Sequence, residues 1–95
     1  MEEKFVQAWL AARQAAQNLG VRMRPVDAQD AMKQARRLLD GHRKSDGFSQ
    51  LAQMGRLDLS LEALAVKKPY TVLFTDEQAN NALMRLLDAG YQFTK

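Results

Sequence analysis

Residues 46–91 read DGFSQLAQMGRLDLSLEALAVKKPYTVLFTDEQANNALMRLLDAGY, and this stretch decides the fold. Its breaks carry residues that start or stop helices. Ser60 is placed to cap one helix, and Thr75 with Gln78 forms the capping-box pair that opens another. Gly90 follows an apolar run, as do many glycines that end helices in the left-handed conformation. The stretch therefore predicts short helices that are joined by tight turns.

The same stretch predicts which side chains of these helices are buried. A helix that is capped by Ser45 and ends at Gly55 would turn Phe48, Leu51 and Ala52 inward. In the helix after Thr75, apolar residues recur at the spacing of one helical face. The buried stripe predicted for this last helix is Ala79, Ala82, Leu83, Leu86 and Leu87.

Two longer helices are predicted before residue 46. The first runs from about Glu3 to Leu19, and the second follows Pro25, is capped by Asp27 and ends at Gly41. The stripe of the first is Phe5, Trp9, Ala12, Ala16 and Leu19, and we interpret Trp9 as a core residue. The stripe of the second is Ala28, Ala31, Met32, Ala35, Leu38 and Leu39.

The predicted fold class is therefore all-α: a compact bundle of four to five short helices, with residues 1–95 forming a single helical domain. Pro69 ends or kinks the fourth helix at about Lys68. Residues 70–74 contain β-branched and aromatic side chains, but a single strand would have no partner. We favour a turn or irregular connection there, and an extended segment is the alternative.

Composition limits the classes to which the protein can belong. A chain of 95 residues is long enough for one hydrophobic core, and the 46% apolar content is typical of folded proteins. The sequence contains no cysteine, no apolar run of about 20 residues and no signal-peptide pattern at its start. We therefore expect a cytoplasmic protein that does not enter membranes.

No arrangement of residues in the sequence indicates an enzyme. His42 is the only histidine and lies beside basic residues, whereas a metal site usually gathers several ligands. The glycines stand singly and form no phosphate-binding loop. Close carboxylates lie where helices begin, which favours capping over acid–base chemistry: Glu2/Glu3, Asp27/Asp30, Asp58/Glu62 and Asp76/Glu77. We expect no catalytic, cofactor-binding or metal-binding residues.

A basic surface is the first candidate site. Residues 20–44 hold seven basic and three acidic side chains, although the whole chain has a net charge of only +3. Such a surface can bind phosphates without reading bases, but we favour a solvated helix face as the explanation of these charges. Residues 50–64 superficially resemble a helix–turn–helix, but the second helix is too apolar to contact DNA. The residues of this basic surface are Arg22, Arg24, Lys33, Arg36, Arg37, Arg43 and Lys44.

Possible partner contacts form the second candidate site. Lys67, Lys68 and Tyr70 surround Pro69 at a predicted corner, where an aromatic ring beside two cations could anchor a partner. Arg56 lies within an apolar frame, and we favour a structural role for it, such as pairing with Asp58. Contact with a ligand is the alternative for Arg56.

A wider pattern gives one resemblance. Its four pieces are Ser45–Phe48 (SDGF), Gly55–Glu62 (GRLDLSLE), Leu73–Glu77 (LFTDE) and Gly90–Tyr91. The pattern covers about half of the chain and resembles a motif in small helical proteins of bacteria and phages. The resemblance implies a bacterial or phage origin and a compact helical unit, and it assigns no activity to any residue.

Two functions are compatible with the sequence. The first is a non-enzymatic protein-interaction module, whose partner is another protein or a second copy of the chain. The alternative is an accessory protein that binds nucleic acid independently of sequence through the basic surface of residues 22–44.

Overall fold

A computed structural model describes residues 2–41 and 44–91, and the protein is an all-α single-domain bundle. The part of the chain described contains five α-helices and no strand. These are α1 (Glu2–Asn18), α2 (Ala31–Asp40), α3 (Phe48–Gln53), α4 (Leu61–Ala65) and α5 (Asp76–Asp88). Three short 3₁₀ turns lie between them, at Ala28–Asp30, Leu57–Leu59 and Tyr70–Leu73. The predicted fold class is confirmed.

Local capping explains where several helices begin. The Thr75 hydroxyl accepts the backbone N–H of Gln78 at 3.0 Å, and the Gln78 side chain accepts the backbone N–H of Thr75 at 3.0 Å. Ser60 accepts the N–H of Ala63 and opens α4, as predicted. Asp27 also acts as a cap, but its carboxylate accepts from Gln29 in a 3₁₀ turn that precedes α2.

The end of α5 has the predicted closure. The N–H of Tyr91 donates to the carbonyl of Leu86 at 2.9 Å, and the N–H of Gly90 donates to that of Leu87 at 3.0 Å. This pair of bonds is the Schellman arrangement, which satisfies carbonyl groups left free by the last helical turn. Helix α1 closes in the same way around Gly20.

Helix α4 lies at the centre of the fold. All five of its residues are buried, and it packs against α5, α1 and the second 3₁₀ turn. A helix that is buried on every side has no face for a partner. Its position agrees with the sequence argument that the segment belongs in the core and is not a DNA-reading helix.

Two hydrophobic clusters surround α4. The first contains Phe5 and Trp9 of α1, and the ring of Phe5 meets Phe74 edge-on with centroids 5.2 Å apart. Trp9 is 3% exposed, which confirms its place in the core. The second cluster lies at the other end of α1, where Ala16 packs with Phe48 and Leu86.

Four details of the sequence prediction were wrong. Ser45 does not cap α3, because Gly47 occupies the N-cap position and offers no side chain. Ala28 is exposed in the 3₁₀ turn, and Leu19 is 43% exposed beyond the end of α1. Leu87 is 51% exposed on the outer side of α5. Ala28 and Leu19 lie outside the regular helices α2 and α1, and Leu87 lies at the edge of its predicted stripe.

The structure also shows the conformation of the segment after α4. Helix α4 ends at Ala65, before the predicted limit at Lys68. Residues Tyr70–Leu73 form a 3₁₀ turn, in agreement with the favoured prediction of a turn and not a strand.

Candidate functional site

The basic surface is only partly free. Arg22, Arg24, Lys33, Arg37 and Lys44 are exposed, whereas Arg36 is only partly exposed. Arg43 belongs to the predicted surface but lies outside the described residues, as does the lone His42.

Arg36 has a structural role. Its Nε and Nη2 atoms donate to the carbonyl oxygen of Leu73 at 3.2 and 3.1 Å, and Nη2 lies 3.5 Å from the Glu2 carboxylate. The side chain thereby joins α2 to the third 3₁₀ turn and to the start of α1. Arg36, which was assigned to the basic surface, is therefore only partly available there, and a substitution at this position would disturb the fold as well as the surface charge.

Acidic groups lie among the remaining cations. Lys33 and Arg37 line a cleft that also contains Asp27 and Asp30. Arg22 and Arg24 line a second cleft with Asp46, which accepts the backbone N–H of Arg24 at 3.2 Å. Nearby carboxylates reduce the attraction for phosphate, so the basic excess of residues 20–44 overstates the positive potential of the surface.

Arg13 is a basic residue that the sequence prediction did not include. It is buried on α1, where it donates to the Met23 sulfur at 3.7 Å and to the carbonyl of Arg24. Its guanidinium lies 5.8 Å from the centre of the Trp9 ring, within cation–π range. Burial lowers the pKa of Arg13 from its usual value, and the charge of Asp46 partly opposes this. Arg13 holds residues 23–24 against α1, and its position four residues after Trp9 indicated that it shares the buried face.

The predicted partner contacts lie on both sides of α4 along the chain. Arg56 lies before α4, whereas Lys67, Lys68 and Tyr70 follow it. Arg56 forms a bidentate pair with Asp58 at 3.1 and 3.3 Å, as the structural interpretation expected, and this hydrogen bonding raises the pKa of Arg56. Tyr70 is half-buried with its ring edge-on to Phe5, while both lysines are exposed.

The sequence prediction missed a buried polar network around Glu62. Glu62 of α4 is fully buried, and its carboxylate lies 3.2 Å from Nη1 of Arg85, which is 7% exposed. Ser45 donates to the same carboxylate from its backbone N–H at 2.9 Å and from its hydroxyl at 2.5 Å. Every buried polar side-chain atom of the described residues has a partner. The network thus joins α4 and α5 to the segment between α2 and α3 inside the core.

The same network secures the end of α2. Arg85 donates to the carbonyls of Leu38 and Gly41, and Asn81 donates to that of Leu39 at 2.9 Å. These are carbonyls that the last turn of a helix leaves unsatisfied. Side chains of α5 therefore replace a local C-cap for α2.

The outer side of α5 is the other feature that the sequence prediction missed. Met84 is 49% exposed and Leu87 is 51% exposed, and with the exposed Asn80 they are spaced by four and three residues. This spacing places the three side chains on one helical face, opposite the buried Ala82 and Leu86. We call Asn80, Met84 and Leu87 the outer stripe. It resembles the seam by which one helix packs on another, including a polar residue at one position.

Two other observations concern the described residues as a whole. They contain no group of three or more histidine, cysteine, aspartate or glutamate side chains arranged to bind a metal ion. None of their helices is both long and apolar enough to cross a membrane.

The chain was compared with known proteins at three levels. No protein-family model, no curated protein and no solved structure matches it.

Proposed function

We propose that the protein is a non-enzymatic protein-interaction module and that the outer stripe of α5 is its binding face. The observation that carries the proposal is the pair Met84 and Leu87, each about half exposed on a helix whose opposite face already supplies the core. The fold does not need these two large apolar side chains on the outside. Covering them with a partner would remove apolar surface from water, which is the main source of affinity at interfaces.

The proposal includes the cytoplasmic setting and the bacterial or phage origin that the sequence predicts. It also assigns no catalytic role to the buried network, in which Glu62 and Arg85 neutralise each other. A buried ion pair whose hydrogen bonds are all made serves specificity of folding more readily than chemistry.

Affinity capture with matched variants tests the proposed face. The test variant combines Met84→Gln with Leu87→Gln, because glutamine removes the apolar surface while keeping length and helix propensity. The control combines Leu19→Gln with Val72→Gln, which removes two exposed apolar side chains elsewhere. We expect the wild type and the control to retain the same protein, and the test variant to lose it. Equal retention by both variants, with circular dichroism showing intact folds, would contradict the proposal.

A second candidate function is binding of nucleic acid without sequence preference. It is favoured by one observation: Arg22, Lys33 and Arg37 are exposed and form no ion pair within the described residues. Such groups can neutralise phosphates and release counterions, which makes the affinity fall steeply with salt.

Charge reversal tests this second function. Lys33→Glu with Arg37→Glu changes the charge of the basic surface, while Lys67→Glu with Lys68→Glu makes the same change outside it. If the basic surface binds nucleic acid, the first variant alone will lose most retention of DNA and RNA at low salt and will show a smaller salt dependence. Arg36 is left unchanged because it bonds to Leu73. Similar behaviour of the two variants would exclude this candidate.

A further inference from the structure

The charged side chains on the outer face of α5 itself all have one sign. The exposed residues of α5 include Asp76, Glu77 and Asp88, and the helix contains one basic residue, Arg85. Arg85 is buried on the opposite face, where it pairs with Glu62. All charged side chains on the outer face of α5 are therefore acidic, although the net charge of the chain is +3.

Asp88 has no partner among the described residues that would explain its position. It lies in the last turn of α5, at the negative end of the helix dipole, where a carboxylate is unfavourable. Within residues 2–41 and 44–91 it is exposed and takes part in no hydrogen bond or ion pair. By contrast, Asp76 and Glu77 lie in the first turn, where the dipole favours them.

Helix geometry places these acids along the two edges of the outer stripe. With about 3.6 residues per turn, Glu77 and Asp88 lie along the same edge of the stripe as Met84. Asp76 lies on the other edge, in line with Leu87. Asp88 lies about one turn from Met84, whereas Asp76 and Glu77 lie at the start of the helix, beside Asn80. The outer stripe is thus acidic at both ends, and a matching surface needs apolar side chains with basic groups at its ends.

Two faces of a second copy, its own α5 and its basic surface, do not offer that surface. Pairing α5 with another α5 brings acidic edges together in either orientation, since both ends of the helix carry them. The basic surface has the opposite charge, but residues 22–41 contain no strongly exposed large apolar side chain. It could not cover Met84 and Leu87.

We propose that the occupant of the outer stripe is an amphipathic helix of another protein, with an apolar seam flanked by lysine or arginine. This inference rests on the proposed function and adds the chemistry of the partner. The seam would pack on Met84 and Leu87, and its cations would lie beside Glu77 and Asp88. Opposite charges at the edges would set the orientation and raise the association rate.

A displayed library of helical peptides tests the inference. Each peptide carries leucines spaced by four and three residues, with lysine, glutamate, glutamine or serine at the flanking positions. We expect selection on the wild type to enrich lysine over glutamate at the flanks at least tenfold. The best peptide should bind at least tenfold more weakly to the Met84→Gln, Leu87→Gln variant, and several-fold more weakly to Asp88→Asn.

Several outcomes would overturn the inference. These are an absence of enrichment, enrichment of glutamate, or unchanged binding of the selected peptide to the double variant. Light scattering that shows a dimer of the wild type but not of the double variant would make a second copy the occupant. The two proposals can fail separately. If the peptide test fails but affinity capture still identifies a partner that needs Met84 and Leu87, the proposed function stands and only the basic-helix inference is wrong.

Discussion

Glu62 and Arg85 form a buried ion pair that connects several elements of this bundle. Removing two charges from water is costly, and the cost is offset here by direct pairing and by bonds to Ser45, Leu38 and Gly41. These bonds join three helices and the segment between α2 and α3. The pair therefore selects one arrangement of helices over others that would bury the same apolar surface.

Replacing Glu62 with Gln should destabilise the protein strongly. The substitution keeps the shape but leaves the Arg85 charge without its partner in the core, so we expect a loss of about 3–5 kcal/mol in the free energy of unfolding. Urea denaturation followed by circular dichroism measures it. The control is Asp58→Asn, which breaks the exposed pair with Arg56 and should have a far smaller effect. Similar losses for the two variants would contradict the role given to the buried pair.

The sequence contained a signal for both residues of this pair. Glu62 lies inside the run Leu61–Val66, which is otherwise entirely apolar, so the helix had no polar face to hold it. Arg85 lies three residues after Ala82, on the same inner stripe. Their partnership was not predictable, because residues 23 positions apart meet only once α4 and α5 pack together.

At the scale of single elements, local signals predicted the helices well. The caps of Ser60 and Thr75 and the closure at Gly90 depend on residues close in sequence, and all three are as expected. Ser45 has the same local chemistry as Ser60, yet its hydroxyl bonds to Glu62. A long-range partner that is buried and charged outcompeted the local cap, and no local pattern reveals such a partner.

Gly47 and Gly55 provide a matched pair that tests packing at the start and end of α3. Both have a positive φ, 77° and 71°, but a Cβ at Gly47 would lie 2.6 Å from Cγ1 of the buried Val21, whereas one at Gly55 would meet nothing within 4 Å. Gly55→Ala should cost about 1–2 kcal/mol for the left-handed backbone. Gly47→Ala should cost about 1–3 kcal/mol more, because Val21 has no room to move.

Thermal or urea unfolding of the two alanine variants measures this difference. Equal stabilities would show that the contact between Gly47 and Val21 is loose. The two glycines flank the same helix, and the measurement compares one variant with the other. The result therefore does not depend on the absolute stability of the protein.

At the scale of the whole molecule, the basic surface and the exposed apolar pair of α5 lie on different elements. Four exposed cations of this surface, Arg22, Arg24, Lys33 and Arg37, share clefts with Asp27, Asp30 or Asp46. The charged side chains on the outer face of α5, which carries Met84 and Leu87, are acidic. The sequence predicted the first surface from composition but did not predict the second. Leu87 was assigned to the buried stripe because it follows Leu83 by four residues, and only the packing of α5 shows that the inner face is centred on Ala82 and Leu86.

Photo-crosslinking from the outer stripe tests the central claim most directly. A photoreactive amino acid is placed at position 84 or 87, and at position 19 or 72 as a control, in cells that express the protein. The account predicts that positions 84 and 87 capture the same protein and that 19 and 72 do not. Crosslinking of that protein from positions 19 and 72 but not from 84 and 87, or no crosslink from any position, would contradict the claim that α5 binds a partner.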